Sequence, residues 1–211
     1  RGDYHGSLKM YGIGYRQVNT LEDGSPDIEG ILAAASSPDT GAVLIQRSRG
    51  YSTRPSLSVR QIRDLCASIR KVSKAAIIID NCYGEFVEDE EPGGPEGGDL
   101  LCGSLIKNPG GGLAPTGGYV AGRSDLVQKA AFRLTVPGIG GECGSTMGQN
   151  RLLYQGLFFA PHIVANSLKT AVFCAKITEM AGFRADPKWD EPRRDIIQMI
   201  ELGTPEAVKA F

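Results

Sequence analysis

Ala75-Ala76-Ile77-Ile78-Ile79-Asp80-Asn81-Cys82-Tyr83-Gly84 is the stretch on which the fold turns. Its apolar run is too short for a helix, is rich in β-branched residues, and ends at a carboxylate and turn formers. It predicts a strand over residues 75–79, buried on both faces, with Asp80 at its carboxyl end. Just upstream, Val59, Ile62, Leu65, Cys66 and Ile69 recur at helical spacing, so a helix is expected through Val72, capped by Ser56 or Ser58. Upstream of that helix, residues 42–45 form a second continuous apolar run. Strand, helix, strand in this order predicts a βαβ unit and a largely parallel sheet.

The same reading extends to both ends. Residues 13–18 read as a short strand, Asp23-Gly24-Ser25-Pro26 as a turn, and Ile28, Ile31 and Leu32 as one helical stripe. After Asp80 comes an acidic, Gly/Pro-rich surface loop over 88–98, then brief strands over 99–103 and 117–121 and a helix from Ser124. Residues 147–180 are helical and unusually apolar, as core or subunit interface, with an interruption expected at Pro161. Residues 183–190 read as a passage to another domain, and a new helix is expected from Asp190 or Glu191 through Ile196, Ile197 and Ile200. The domains are therefore set at 1–182 and 183–211.

A length of 211 residues fits one sizeable domain and the start of another. A net charge of −1 offers no general attraction to nucleic acid or to an anionic membrane, and neither is expected as a partner. No uninterrupted run of 18 apolar residues is present, so no spanning helix is expected. The chain opens at Arg1 without Met and stops at Phe211 within a helical pattern, and both ends read as cut. The opening Arg1-Gly2-Asp3 is taken as a chance tripeptide. Five scattered cysteines without a Cys-x-x-Cys pair argue against a disulfide framework and a zinc site, and point to a reducing compartment, the cytoplasm. His5 and His162 offer little for a triad or a metal cluster. The glycines at 138, 140 and 141 lack the flanking pattern of a nucleotide loop.

Two charged residues follow strands: Asp80, and Lys107 within Ser104-Leu105-Ile106-Lys107-Asn108-Pro109-Gly110. Sites in open α/β sheets form at the carboxyl ends of strands, which makes the two neighbours. Pyridoxal 5'-phosphate chemistry gives each a role. Lys107 is the lysine that forms a Schiff base with the cofactor aldehyde, its amine made neutral by burial and nearby positive charge. Asp80 keeps the pyridine nitrogen protonated. Cys82 is placed against the ring, Ser104 at the phosphate, and the glycines after Lys107 close around the cofactor. Arg47 and Arg49 are sent to one side of their strand, where they hold a substrate carboxylate or phosphate, or else pair with the acidic loop at Glu88 to Glu91; both readings stand. No metal site is expected.

The segments Ile45-Gln46-Arg47-Ser48-Arg49-Gly50-Tyr51-Ser52, Asp80-Asn81-Cys82-Tyr83-Gly84-Glu85-Phe86, Ser104 to Gly111, and Lys188-Trp189-Asp190-Glu191-Pro192-Arg193 resemble the methionine γ-lyase-like proteins, also called aluminium-resistance or cystathionine β-lyase-like. The resemblance covers essentially the whole chain. It implies an aspartate-aminotransferase-like fold: a three-layer α/β/α large domain with a mostly parallel sheet. It also implies a carbon–sulfur lyase acting on a small sulfur amino acid, a homo-oligomer (dimer or tetramer), and an upstream half carrying a phosphate loop and an aromatic partner for the ring. This chain is thus expected to be a fragment, inactive and weak in cofactor binding by itself. The rival readings are transamination or desulfuration on the same fold, and a non-catalytic remnant.

Overall fold

The computed structural model describes residues 5–136, 138–143 and 146–211; the Arg1-Gly2-Asp3 tripeptide lies outside them. Three strands, β1 (Ala42–Gln46), β2 (Ala76–Asp80) and β3 (Leu100–Ser104), run parallel in that order, and β4 (Gly118–Gly122) lies antiparallel against β3. The protein is thus α/β with a mostly parallel sheet.

Helix α1 (Ile28–Ala35) starts at Asp27, whose side chain accepts from Gly30 N–H. Helix α2 (Val59–Val72) is the crossover between β1 and β2. Of its two candidate caps, Ser58 serves: its side chain accepts from Gln61 N–H, while the Gln61 side chain accepts from Ser58 N–H, a reciprocal capping box. Ser56 instead donates to Asp195. The stripe of Ile62, Leu65, Cys66 and Ile69 packs with Ala35 of α1 against Ile45, Ile77 and Ile79 of the sheet. Ile62, Ile69, Ile77 and Ile79 are fully buried, each contributing about 1.5–3 kcal/mol of transfer free energy.

Alternation along β2 sends Ile77 and Ile79 to this core and Ile78 and Asp80 to the other face. That other face is open at β1, where Leu44 is 64% exposed. Among the described residues, α1 and α2 cover one face of the sheet at β1 and β2, and no second helical layer lies over Leu44. The three-layer expectation is met there on one face only.

Helix α3 (Ser124–Leu134) follows β4, and α4 (Asn150–Met180) runs through Pro161 without a break. The proline costs one backbone hydrogen bond, and the packed residues Ala160 and Val164 hold the turns around it. Gly156, Ala160, Val164, Ala171, Ala175 and Thr178 form the buried stripe of α4. By length and composition α4 is able to cross a membrane, with 17% of its most apolar window buried.

Besides the interruption at Pro161, two further expectations fail. Residues 13–18 form no strand: Ile13 and Tyr15 are exposed, and Ile13 N–H donates locally to Leu8 C=O at 3.1 Å rather than into a sheet. The helix expected from Asp190 or Glu191 is absent, and Ile200 instead lies in β6 (Met199–Glu201), paired antiparallel with β5 (Arg184–Asp186). The apolar spacing misled because Asp195, directly before Ile196 and Ile197, is drawn inward. It is 2% exposed and accepts from Ser56 Oγ and from Arg49 N–H. A short helix, α5 (Pro205–Ala210), ends the described chain.

Candidate active site

Parallel pairing sets the site. Asp80 of β2 stands opposite Cys102 of β3, so Asp80 and Ser104 both lie at the carboxyl end of the sheet. After Asp80 the chain turns sharply. The Asp80 carboxylate accepts from Cys82 N–H at 3.1 Å, and Tyr83 adopts a left-handed backbone with φ 69°. This conformation is costly for a side-chain-bearing residue and marks a turn held by its surroundings. After Ser104 a second turn, closed by Lys107 N–H to Ser104 C=O at 3.3 Å, leads into a 3-10 turn over Asn108–Gly110.

The two turns meet. Lys107 Nζ lies 4.2 Å from the centroid of the Tyr83 ring, a cation–π contact. Cys82 interacts with Asp80, with Lys107 and with the backbone of Ser104. Four of the residues expected from the sequence, Asp80, Cys82, Ser104 and Lys107, are therefore gathered in one place. Burial pushes the Cys82 thiol up, and Asp80 adds to the shift. Burial pulls the Lys107 ammonium down, but the charge that Cys82 and Tyr83 carry when ionised outweighs it, so Lys107 stands above the ordinary lysine value. The expectation of a lysine depressed by positive neighbours is thus corrected: the groups beside it are a thiol and a phenol.

The glycines after Lys107 have a use within the fold. A Cβ on Gly111 would stand 2.3 Å from Gly156 C=O, and one on Gly156 would stand 2.2 Å from Gly110 C=O. They let the turn carrying Lys107 press directly onto the backbone of α4.

Arg47 and Arg49 go separate ways, because β1 ends at Gln46 and strand alternation does not extend to them. Arg47 is fully buried. It donates to Asn81 Oδ1 at 2.9 Å, to Glu88 at 2.8 Å and to Glu91 at 3.3 Å. This is the acidic-loop pairing, with Glu88 also accepting from Val59 N–H at the start of α2. Arg49 is 5% exposed and pairs with Asp186 of β5 at 3.0 Å. Internal carboxylates pair with the terminal nitrogens of both guanidinium groups, while the Nε of each is buried without a hydrogen-bond partner among the described residues.

A buried polar chain unseen in the sequence runs beneath the site. Asn81 donates to Glu91 at 2.8 Å and approaches Tyr119 Oη at 3.4 Å; Tyr119 donates to Glu85 at 2.9 Å. Asn108, the residue after Lys107, donates to Glu85 C=O at 2.9 Å. Glu85 sits inside the Asp80–Phe86 segment, but no local pattern says that a glutamate there points inward. Tyr83, next to Cys82, was equally within reach, but its left-handed turn leaves no sequence signal.

The donor set fits pyridoxal phosphate. An amine, a carboxylate at a strand end and a hydroxyl three residues before the amine match an aldehyde, a protonated ring nitrogen and a phosphate. The aromatic ring of Tyr83 lies beside the amine.

A family profile described as Methionine gamma-lyase matches residues 1–211. The chain is 46% identical over its full length to YnbB, an uncharacterized protein of Bacillus subtilis (strain 168), and covers 50% of it. A crystal structure from Clostridium novyi NT, named a carbon-sulfur lyase involved in aluminum resistance, is 48% identical with a TM-score of 0.91; the match covers 98% of this chain and 49% of that one. A candidate cystathionine beta-lyase involved in aluminum resistance from Clostridium acetobutylicum is also 48% identical, with a TM-score of 0.89 over 95% of this chain and 48% of that one. The chain spans about half the length of these relatives.

Proposed function

The chain belongs to the methionine gamma-lyase family, and from that premise we propose that it carries the core of a pyridoxal-phosphate-dependent carbon–sulfur lyase acting on a small sulfur amino acid. The single observation behind this reading is the meeting of Lys107 and Asp80 with Cys82, Tyr83 and Ser104 where β2 and β3 end. The name of the Clostridium novyi relative supports the same reaction class.

When bound, the cofactor supplies an aldehyde and an electron-withdrawing ring. The protein's own residues do the rest. Lys107 would hold the aldehyde and would take the proton from the substrate α-carbon as general base. The Asp80 carboxylate, which accepts from Cys82 N–H, would keep a proton on the ring nitrogen. The Ser104 hydroxyl would donate to the phosphate, and Cys82 and Tyr83 would pack against the ring. Tyr83 holds the Lys107 amine in place until it has lost its proton. Arg47 and Arg49 are given the work of tying the acidic loop and β5 to the sheet rather than of holding substrate. The large domain is taken as 1–182, within a larger three-layer assembly that the full-length protein completes.

The test is to incubate the full-length protein with methionine, cystathionine and cysteine and to assay thiols and 2-oxo acids together. A thiol and a 2-oxo acid released in equal amounts are expected. A 2-oxo acid without thiol would mean transamination, alanine from cysteine with neither product would mean desulfuration, and no turnover of any of the three would mean a non-catalytic fold.

A further inference from the structure

Glu85 is 3% exposed, and its surroundings leave a hydrogen missing. Its Oε1 accepts from Tyr119 Oη–H, and its main-chain oxygen accepts from Asn108 Nδ2–H. Two buried acceptor oxygens then remain without a donor, Glu85 Oε2 and Asn108 Oδ1. They belong to residues already joined by a hydrogen bond, and unpaired buried acceptors are costly. A proton carried on Oε2 turns one of these two acceptors into a donor.

We propose that Glu85 is a positioning residue, a neutral carboxylic acid whose Oε2–H donates to Asn108 Oδ1 and so pins the turn that carries Lys107. The groups facing it are Tyr119 of β4, Cys102 of β3, Arg47 after β1 and Glu91 of the acidic loop. Burial pushes the Glu85 carboxyl up to about 7 and Glu91 reinforces it, while the Tyr119 hydrogen bond and Arg47 pull it down. Loss of the proton removes the donor to Asn108 and adds a second negative charge beside Glu91. Asn108 follows Lys107 directly, so the turn loosens where the amine must be aimed. The protonation stands on the geometry of Glu85 alone; its consequence for Lys107 rests on the functional reading above.

The sign of the pH effect follows. The folded-state value lies above the ordinary 4.5, so the stability that Glu85 contributes is full below 4.5 and is lost as pH rises through about 7. The experiment measures the thermal midpoint and kcat/KM of the full-length protein from about pH 5 to about pH 9. In the unmodified protein both should fall across a transition near 7. Glu85→Gln carries an amide N–H that supplies the missing donor at every pH, so both profiles should lose that transition and keep their low-pH values. Tyr119→Phe removes the hydroxyl that steadies the carboxylate, so its transition should move to higher pH. A Glu85→Gln protein that keeps the unmodified pH dependence, or a Tyr119→Phe transition that stays put or moves down, would overturn the proposal. A midpoint transition abolished by Glu85→Gln, in a protein whose cofactor sits on another lysine, would uphold the Glu85 proton and sink only the role given to Lys107.

Discussion

Asp80 shows how much one residue was worth as a reading. A carboxylate at the end of an all-apolar strand has few structural reasons to be there, and the structure sets it beside Cys82, whose thiol Asp80 pushes up while Lys107 pulls it down. If it holds a protonated ring nitrogen, Asp80→Asn keeps cofactor binding and loses turnover by about 10² or more, the scale of one lost electrostatic contact in a closed site. The check is kcat at saturating cofactor, and near-normal turnover would contradict it. Lys107, Ser104 and Cys82 were legible for the same reason, since strand ends bring them together whatever the loops do. Arg47 was half legible: pairing with the acidic loop was one of its two readings, and Glu88 and Glu91, 41 and 44 positions away, take it. Arg49 was not, because its partner Asp186 lies 137 positions away, outside that loop. Glu85 was invisible on similar grounds, because its inward aim depends on Tyr119 from another strand.

At the level of elements, legibility followed burial. The isoleucine-rich β2 and the stripe of α2 declared themselves because one face or both are packed. Residues 13–18 had the composition of a strand, but Ile13 and Tyr15 are exposed and Ile13 N–H bonds locally to Leu8 C=O. The β5–β6 hairpin was misread as a helix because a buried hydrogen-bonded aspartate, Asp195, overrides the spacing of the isoleucines that follow it. The joint between α4 and the turn after Lys107 allows a sharp prediction. Gly→Ala within an ordinary helix stabilises by roughly 1 kcal/mol. At Gly156 the new methyl would stand 2.2 Å from Gly110 C=O, an overpacking that costs about 1–3 kcal/mol. Gly156→Ala should therefore lower the thermal midpoint and weaken cofactor binding through a displaced Lys107. A raised midpoint with binding unchanged would show that the joint is loose.

Over the whole molecule, the chain spans about half the length of its relatives. Leu44 is open along the β1 edge, and Phe158 and Phe173 of α4 stand at 80% and 67% exposure. Those surfaces fit the proposal of a longer, oligomeric protein, with the chemical centre proposed among Asp80, Ser104 and Lys107. The claim that most depends on all scales at once is that Lys107, delivered by β3, steadied by Tyr83 and pressed onto α4, is the lysine that carries the cofactor. Borohydride reduction of the full-length protein loaded with pyridoxal phosphate, followed by peptide mapping, tests it directly. The phosphopyridoxyl group is predicted on Lys107, with Lys107→Ala losing both the label and the visible absorbance; a label on any other lysine would contradict the account.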